Sequence, residues 1–203
     1  MTTTVPATES RWSSGLSPFG MSWQKFMMWW FIVTDALLFA GFLASYGFSR
    51  LGSETWPNQA EVFSIPYLTV MTFVLISSSA TMACAVAAAR AGDAKGVVRF
   101  VLLTAVGGLL FLGMQAFEWG HFIADGWRMG HGPEIGVTTF GGYFYMITGF
   151  HGTHVLLGVI ILLTVLLRAR KGRYTHNGVE VAGLYWHFVD LVWVFIFGCF
   201  YLI

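Results

Sequence analysis

Charged side chains are scarce in this chain: 11 Lys and Arg and 10 Asp and Glu among 203 residues, 10% of the whole. A soluble domain carries about 25%, so these side chains are too few to cover a water-facing surface. No sign of charge dominates either, since the formal net charge is +1, and a basic face for nucleic acid is excluded. The two cysteines and five prolines are too few for a disulfide scaffold or a proline-rich linker. What is abundant is apolar: 56% hydrophobic residues, with 19 Phe, 9 Trp and 7 Tyr, which excludes intrinsic disorder. With a mean hydropathy of +0.68, the composition specifies an integral membrane protein.

A membrane helix needs about 20 mostly apolar residues. Five segments qualify, at Trp23–Ser49, Ser64–Arg90, Val97–Ala124, Thr138–Arg168 and Val179–Ile203. The fold expected is an all-α integral membrane bundle of five transmembrane helices. Residues 1–22, rich in Ser, Thr and Pro, read as an exposed tail and not as a cleaved signal, and residues 23–203 as a single domain. The turns fall at Gly52 to Asn58, Ala91 to Gly96, Asp125 to Gly136 and Ala169 to Gly178. Lys and Arg set the orientation. Nine (Arg11, Lys25, Arg90, Lys95, Arg99, Arg168, Arg170, Lys171, Arg173) fall on the side of the N-terminus, and Arg50 and Arg128 on the other. The N-terminus is therefore expected inside and the C-terminus outside. Cys84 then lies near the inner end of the second span and Cys199 near the outer end of the fifth, roughly 20 Å or more apart in depth at the rise of a helix. That exceeds disulfide reach, and two free thiols serving as small packing residues are expected.

Small residues recur every fourth position in the second span (Ser79, Ala83, Ala87; Ala80, Cys84, Ala88) and in the first (Ala36, Ala40, Ala44). Such rows let backbones approach, either inside this bundle or against another subunit, and an open arrangement of helices allows both.

Ionisable groups within a bilayer are costly and mark internal pairing or function. Seven are present: Asp35, Glu118, His121, His151, His154, His187 and Asp190. Matched by depth along their spans, they suggest pairs of Asp35 with His187, Asp190 with His154, and Glu118 with His151 or His121. A buried polar network of Asp35, Glu118, His151, His154, His187 and Asp190 is the plain reading. A proton-linked role for one carboxylate, Asp35 foremost, is the sharper one. A metal or haem site is disfavoured. Only His187-x-x-Asp190 approaches a di-metal carboxylate pattern, and His154 and His187 differ by roughly 9 Å in depth, too far for axial ligands of one untilted haem. No catalytic, cofactor-binding or metal-ligating residue is expected. No Gly-x-Ser-x-Gly elbow and no phosphate-binding Gly-rich loop with a Lys occurs. Trp23, Trp29, Trp30, Trp56, Trp119 and Trp127 read as interfacial anchors, and His131 and His176 carry no specific signal.

Three motifs stand in order along the chain: Gln115-Ala-Phe-Glu118-Trp119, then Gly149-Phe-His151-Gly-Thr-His154-Val with Gly158, then Tyr185-Trp-His187-Phe-Val-Asp190-Leu-Val-Trp193. Over residues 17 to 203 the chain resembles subunit III of the haem–copper cytochrome c and quinol oxidases. The resemblance implies a subunit without haem or copper of its own that docks beside catalytic subunit I, where both cofactors sit, with subunit II and other oxidase subunits nearby. It implies support of proton uptake and sustained turnover, phospholipid held in a cleft between helices, and residence in a bacterial cytoplasmic membrane. Two features depart from the family. Many members have seven helices, and this chain looks like the short form lacking the first two. The family's Ser-Glu-x-x-Phe-Phe-x-Gly is here Thr34-Asp35-Ala-Leu-Leu-Phe39-Ala-Gly41, so the carboxylate is one methylene shorter. Its partner must then approach about 1.5 Å closer or a water must bridge. A related accessory subunit of nitric-oxide reductases is the alternative. A stand-alone transporter is disfavoured, because paired repeats and broken helices are absent and Gly107-Gly108 is the only candidate break.

Overall fold

A computed structural model of the chain describes residues 21–129 and 138–202. The segment 1–20, which holds most of the expected tail, and part of the turn expected before Gly136, with His131, lie outside the described residues.

The helices are α1 (Trp23–Leu51), α2 (Gln59–Val62), α3 (Ile65–Arg90), α4 (Ala94–Ala124), α5 (Thr138–Arg170) and α6 (His176–Ile196), the last continuing as a π-helical turn over Phe197–Leu202. α1, α3, α4, α5 and α6 are each long and apolar enough to cross a membrane, so the five-span, all-helical architecture stands. The short α2 follows the turn expected at Gly52 to Asn58 and precedes the second span; Asn58 caps it by accepting from the Ala60 N–H at 3.3 Å, a common local bond.

Side chains at the helix starts explain the boundaries. Ser22, Asp93 and Thr175 accept backbone N–H bonds at the N-termini of α1, α4 and α6, and Pro66 occupies the first turn of α3, where its missing N–H costs nothing. α3 and α5 stop at Gly92 (φ 73°) and Gly172 (φ 64°), a backbone region that favours glycine. The bond after each, Asp93 N–H to Ala88 O at 3.0 Å and Arg173 N–H to Arg168 O at 2.9 Å, closes the last turn and reverses the chain.

α3, α4, α5 and α6 pack around a common core, and α1 lies to the side against α6 and α5. One end of the bundle gathers the starts of α1, α4 and α6; α2 sits at the other. The core is built around two tryptophans seven residues apart on α6. Trp186 Nε1–H donates to Ser78 Oγ at 3.0 Å and Trp193 Nε1–H to Thr72 Oγ1 at 3.0 Å. Each hydroxyl in turn donates to an α3 carbonyl, Ser78 to Leu75 O and Thr72 to Leu68 O. Both indoles are fully enclosed with their polar atoms paired, as burial requires. Glycine makes the room. A Cβ at Gly158 of α5 would lie 2.9 Å from the Trp186 ring, and one at Gly108 of α4 would overlap it. Gly107-Gly108 is thus a packing surface within an unbroken helix.

The small-residue rows point elsewhere. Ala36, Ala40 and Ala44 on α1 and Ala80, Ala83, Cys84 and Ala87 on α3 are exposed, while the covered face of α3 carries Leu68, Met71, Leu75, Ser78 and Met82. Ser79 and Ala88 of the α3 rows are partly covered within this chain, Ser79 by its bond to His187; the other positions are open to contacts beyond it. Both cysteines are free. Cys84, expected to pack, is exposed, because α3 turns its larger apolar residues inward.

Candidate functional site

Asp35, on α1, is 7% exposed although its neighbours on that helix are mostly uncovered. Its Oδ1 lies 3.4 Å from His154 Nε2 on α5. The other imidazole nitrogen, Nδ1, is 2.9 Å from the Phe150 carbonyl. A carbonyl only accepts, so Nδ1 carries a hydrogen. Nε2 then meets the carboxyl with an attractive contact only if one proton lies on either partner, as imidazolium with carboxylate or imidazole with carboxylic acid. The pair is built to hold one proton across the α1–α5 interface. Phe31 and Phe39 flank the imidazole at 6.3 and 5.8 Å between ring centroids, and Asp35 Oδ2 has no hydrogen-bond partner among the described residues.

The remaining intramembrane groups form no hydrogen bond with this pair among the described residues, although His151, three residues before His154 on α5, packs on the same Phe39 ring. His187, half-buried, has Nδ1 2.5 Å from Ser79 Oγ. Asp190 is 5% exposed, with the Ser79 side chain beside it and no well-formed hydrogen bond to either carboxylate oxygen among the described residues. His151 is completely enclosed, both nitrogens without a partner among the described residues, with Phe111 at 5.7 Å and Trp193 at 5.1 Å between ring centroids. Glu118 accepts from the Tyr201 hydroxyl at 3.3 Å. His121 is exposed, its Nδ1 3.4 Å from the Phe117 carbonyl of its own helix.

The depth-matched pairs are therefore corrected. Asp35 meets His154 and not His187; Asp190 does not pair with His154; Glu118 pairs with a tyrosine and with neither His151 nor His121. Depth along a span says nothing of the direction a helix turns its side chains, and α1 lies against α5 as well as α6. Among the described residues no group of three or more His, Cys, Asp or Glu side chains is placed to hold a metal ion.

Comparison with known proteins decides the family. A family model described as cytochrome c oxidase subunit III matches residues 7–203. The chain belongs to the cytochrome c oxidase subunit III family. It is 38% identical over 179 residues to a cytochrome c oxidase subunit 3 of Corynebacterium diphtheriae, covering 85% of this chain and 84% of that one. To a cytochrome c oxidase subunit 3 of Thermostichus vulcanus it is 34% identical over 177 residues, with 85% and 84% covered. A quinol oxidase subunit 3 of Bacillus spizizenii is 32% identical over 179 residues, with 86% and 84% covered. As a subunit III it is part of a multi-subunit oxidase, in the cytoplasmic membrane of a bacterium, which it crosses with its five long helices.

Sequence reasoning missed several residues that shape the region. Tyr201, which reaches Glu118, stands in an apolar run at the end of the chain, and its hydroxyl was the only available cue. Glu180 is the other omission. It joins Lys25 of α1 at 2.7 Å, Arg90 of α3 at 3.1 Å and His176 at 3.3 Å. At the opposite end Tyr143 of α5 bonds Ser45 and Ser49 of α1 at 2.8 and 2.7 Å. These clusters tie α1 to α6 at one end and to α5 at the other, with the Asp35–His154 contact between them.

Proposed function

We propose that this subunit III serves the terminal oxidase without haem, copper or an active site of its own, docking beside subunit I, with subunit II in the same assembly, and supporting proton uptake there. The observation that carries this reading is the Asp35–His154 pair. It places a proton-holding carboxyl on the helix with the least cover from its own chain, with Ala36 and Ala40 next to it on exposed positions. A buried ionisable group at such a position is expensive and is best used where another subunit covers it.

Phospholipid holding has its own support. At the end of α5, Arg168, Lys171 and Arg173 line a pocket of about 440 Å³ with Thr164 and Leu167. Cations above an apolar helix face suit an anionic lipid headgroup. The orientation proposed, N-terminus inside, puts these cations on the cytoplasmic side.

The test is a mild-detergent pull-down on a tag at the N-terminus, with a reduced-minus-oxidised visible spectrum and oxygen uptake measured on the eluate. Haem bands, a large multi-span partner and oxygen consumption are expected. A colourless, partner-free chain would overturn the reading, and a b- and c-haem partner consuming nitric oxide would replace it with the nitric-oxide reductase alternative.

A further inference from the structure

At the end of the bundle that carries α2, a pocket of about 320 Å³ opens between α2, the start of α3 and the end of α4. Its walls include Phe63, Tyr67, Phe117 and Phe122, and its titratable lining is Glu118, His121 and Asp125. Among the described residues no Lys or Arg lines it. Glu118 is 8% exposed. Its Oε2 accepts from Tyr201. Glu118 lines the pocket, and its Oε1 receives no hydrogen bond among the described residues. The Tyr67 hydroxyl is committed to the Met114 carbonyl at 2.9 Å, which leaves its ring as wall. Phe117, 59% exposed, stacks tilted on His121 with ring centroids 4.4 Å apart.

A carboxylate at the base of an aromatic-walled pocket, with no fixed cation beside it, is the chemistry that recognises an organic ammonium: the charge pairs with the carboxylate and the N-alkyl groups lie on ring faces. An inorganic metal ion fits poorly, because Glu118, His121 and Asp125, which line the pocket, do not form a group placed to hold one among the described residues. We propose that this pocket binds an organic ammonium group, with Glu118 and Asp125 as its counter-charges and the Tyr67 and Phe117 rings as its cage. The site lies at the opposite end of the bundle from the Arg168 pocket and is independent of the role proposed for the Asp35–His154 pair. The ammonium has two possible sources, the headgroup of a zwitterionic phospholipid or a free amine.

The test uses the full chain in phospholipid-free detergent, followed by its thermal unfolding midpoint. It is titrated with tetramethylammonium chloride, with short-chain phosphatidylethanolamine, and with short-chain phosphatidylglycerol as the same lipid type without an ammonium. Stabilisation by phosphatidylethanolamine beyond phosphatidylglycerol is expected. Glu118→Gln should weaken it roughly tenfold and Tyr67→Leu roughly threefold. Stabilisation by tetramethylammonium as well identifies a site for free amines; response to the lipid alone identifies a headgroup site. Should Glu118→Gln not fold, the exposed positions carry the test through Asp125→Asn and Phe117→Leu, each expected to weaken binding. Equal response to the two lipids with none to tetramethylammonium, or wild-type affinity in the folded variants, overturns the proposal.

Discussion

At the scale of single residues, Asp35 and His154 are one unit. Removing either leaves the other buried without its proton-sharing partner, so Asp35→Ala and His154→Ala should be non-additive. A coupling of about 0.5–3 kcal/mol is expected from a double-mutant cycle on unfolding in detergent; purely additive losses would dissolve the pair. Asp35→Asn separates packing from proton chemistry. The amide keeps size and can donate to Nε2, but no proton is exchanged. Assembly of the oxidase should be intact, and the number of turnovers before activity decays should fall; unchanged endurance would remove Asp35 from proton delivery. Both residues stood out in the sequence as ionisable groups in apolar runs. Their partnership did not, since a linear depth has no angular coordinate.

At the scale of elements, α6 is held by its tryptophans and by the glycines facing them. Gly158→Ala would push a methyl against the rigid Trp186 ring and should cost about 1–3 kcal/mol. Gly142→Ala on the same helix meets nothing within 4 Å and should be neutral or slightly stabilising, since alanine is the better helix former. Thermal unfolding of the two variants side by side checks this, and equal behaviour would mean that α5 relaxes away from α6. The motif Trp186-His187-Phe-Val-Asp190-x-x-Trp193 was legible as a pattern. Its physical content, two indoles each bonded to an α3 hydroxyl, needed the α3 positions Thr72 and Ser78, which nothing in the sequence sets apart from the other Ser and Thr of that span. Glu180 binds at the water-exposed end of α6, and its salt bridges are worth less. Glu180→Gln should lower stability by no more than about 1 kcal/mol per pair lost, with the effect shrinking at high salt.

At the scale of the whole molecule, the bundle presents two uncovered faces of small residues, on α1 and α3, and a charge asymmetry between its ends. The asymmetry predicts topology. A cysteine introduced at Glu54 in a Cys84→Ala, Cys199→Ala background should react with an impermeant thiol reagent on intact cells or right-side-out vesicles. One at Lys171 should react only after the membrane is opened, and the reverse pattern would invert the orientation. The exposed α3 face predicts that Cys84 of the wild-type chain is alkylated by a lipid-soluble maleimide when the subunit is alone. Protection in the intact oxidase would assign that face to a neighbouring subunit, and equal labelling would assign it to lipid.

Composition and hydropathy by themselves determined that the chain is a five-span helical membrane protein, and the ordered motifs pointed to its family. These properties depend on local sequence: a run of about 20 apolar residues spans a bilayer whatever its neighbours are. Tertiary structure alone decided that α1 stands outside the four packed helices, that Asp35 meets His154, that Glu118 meets Tyr201, and that the alanine rows of α1 and α3 face outward. Each depends on how a helix is rotated about its own axis. That rotation is set by bulky side chains such as Trp186 and Trp193 finding glycines and hydroxyls on other helices, and so by residues distant in the chain.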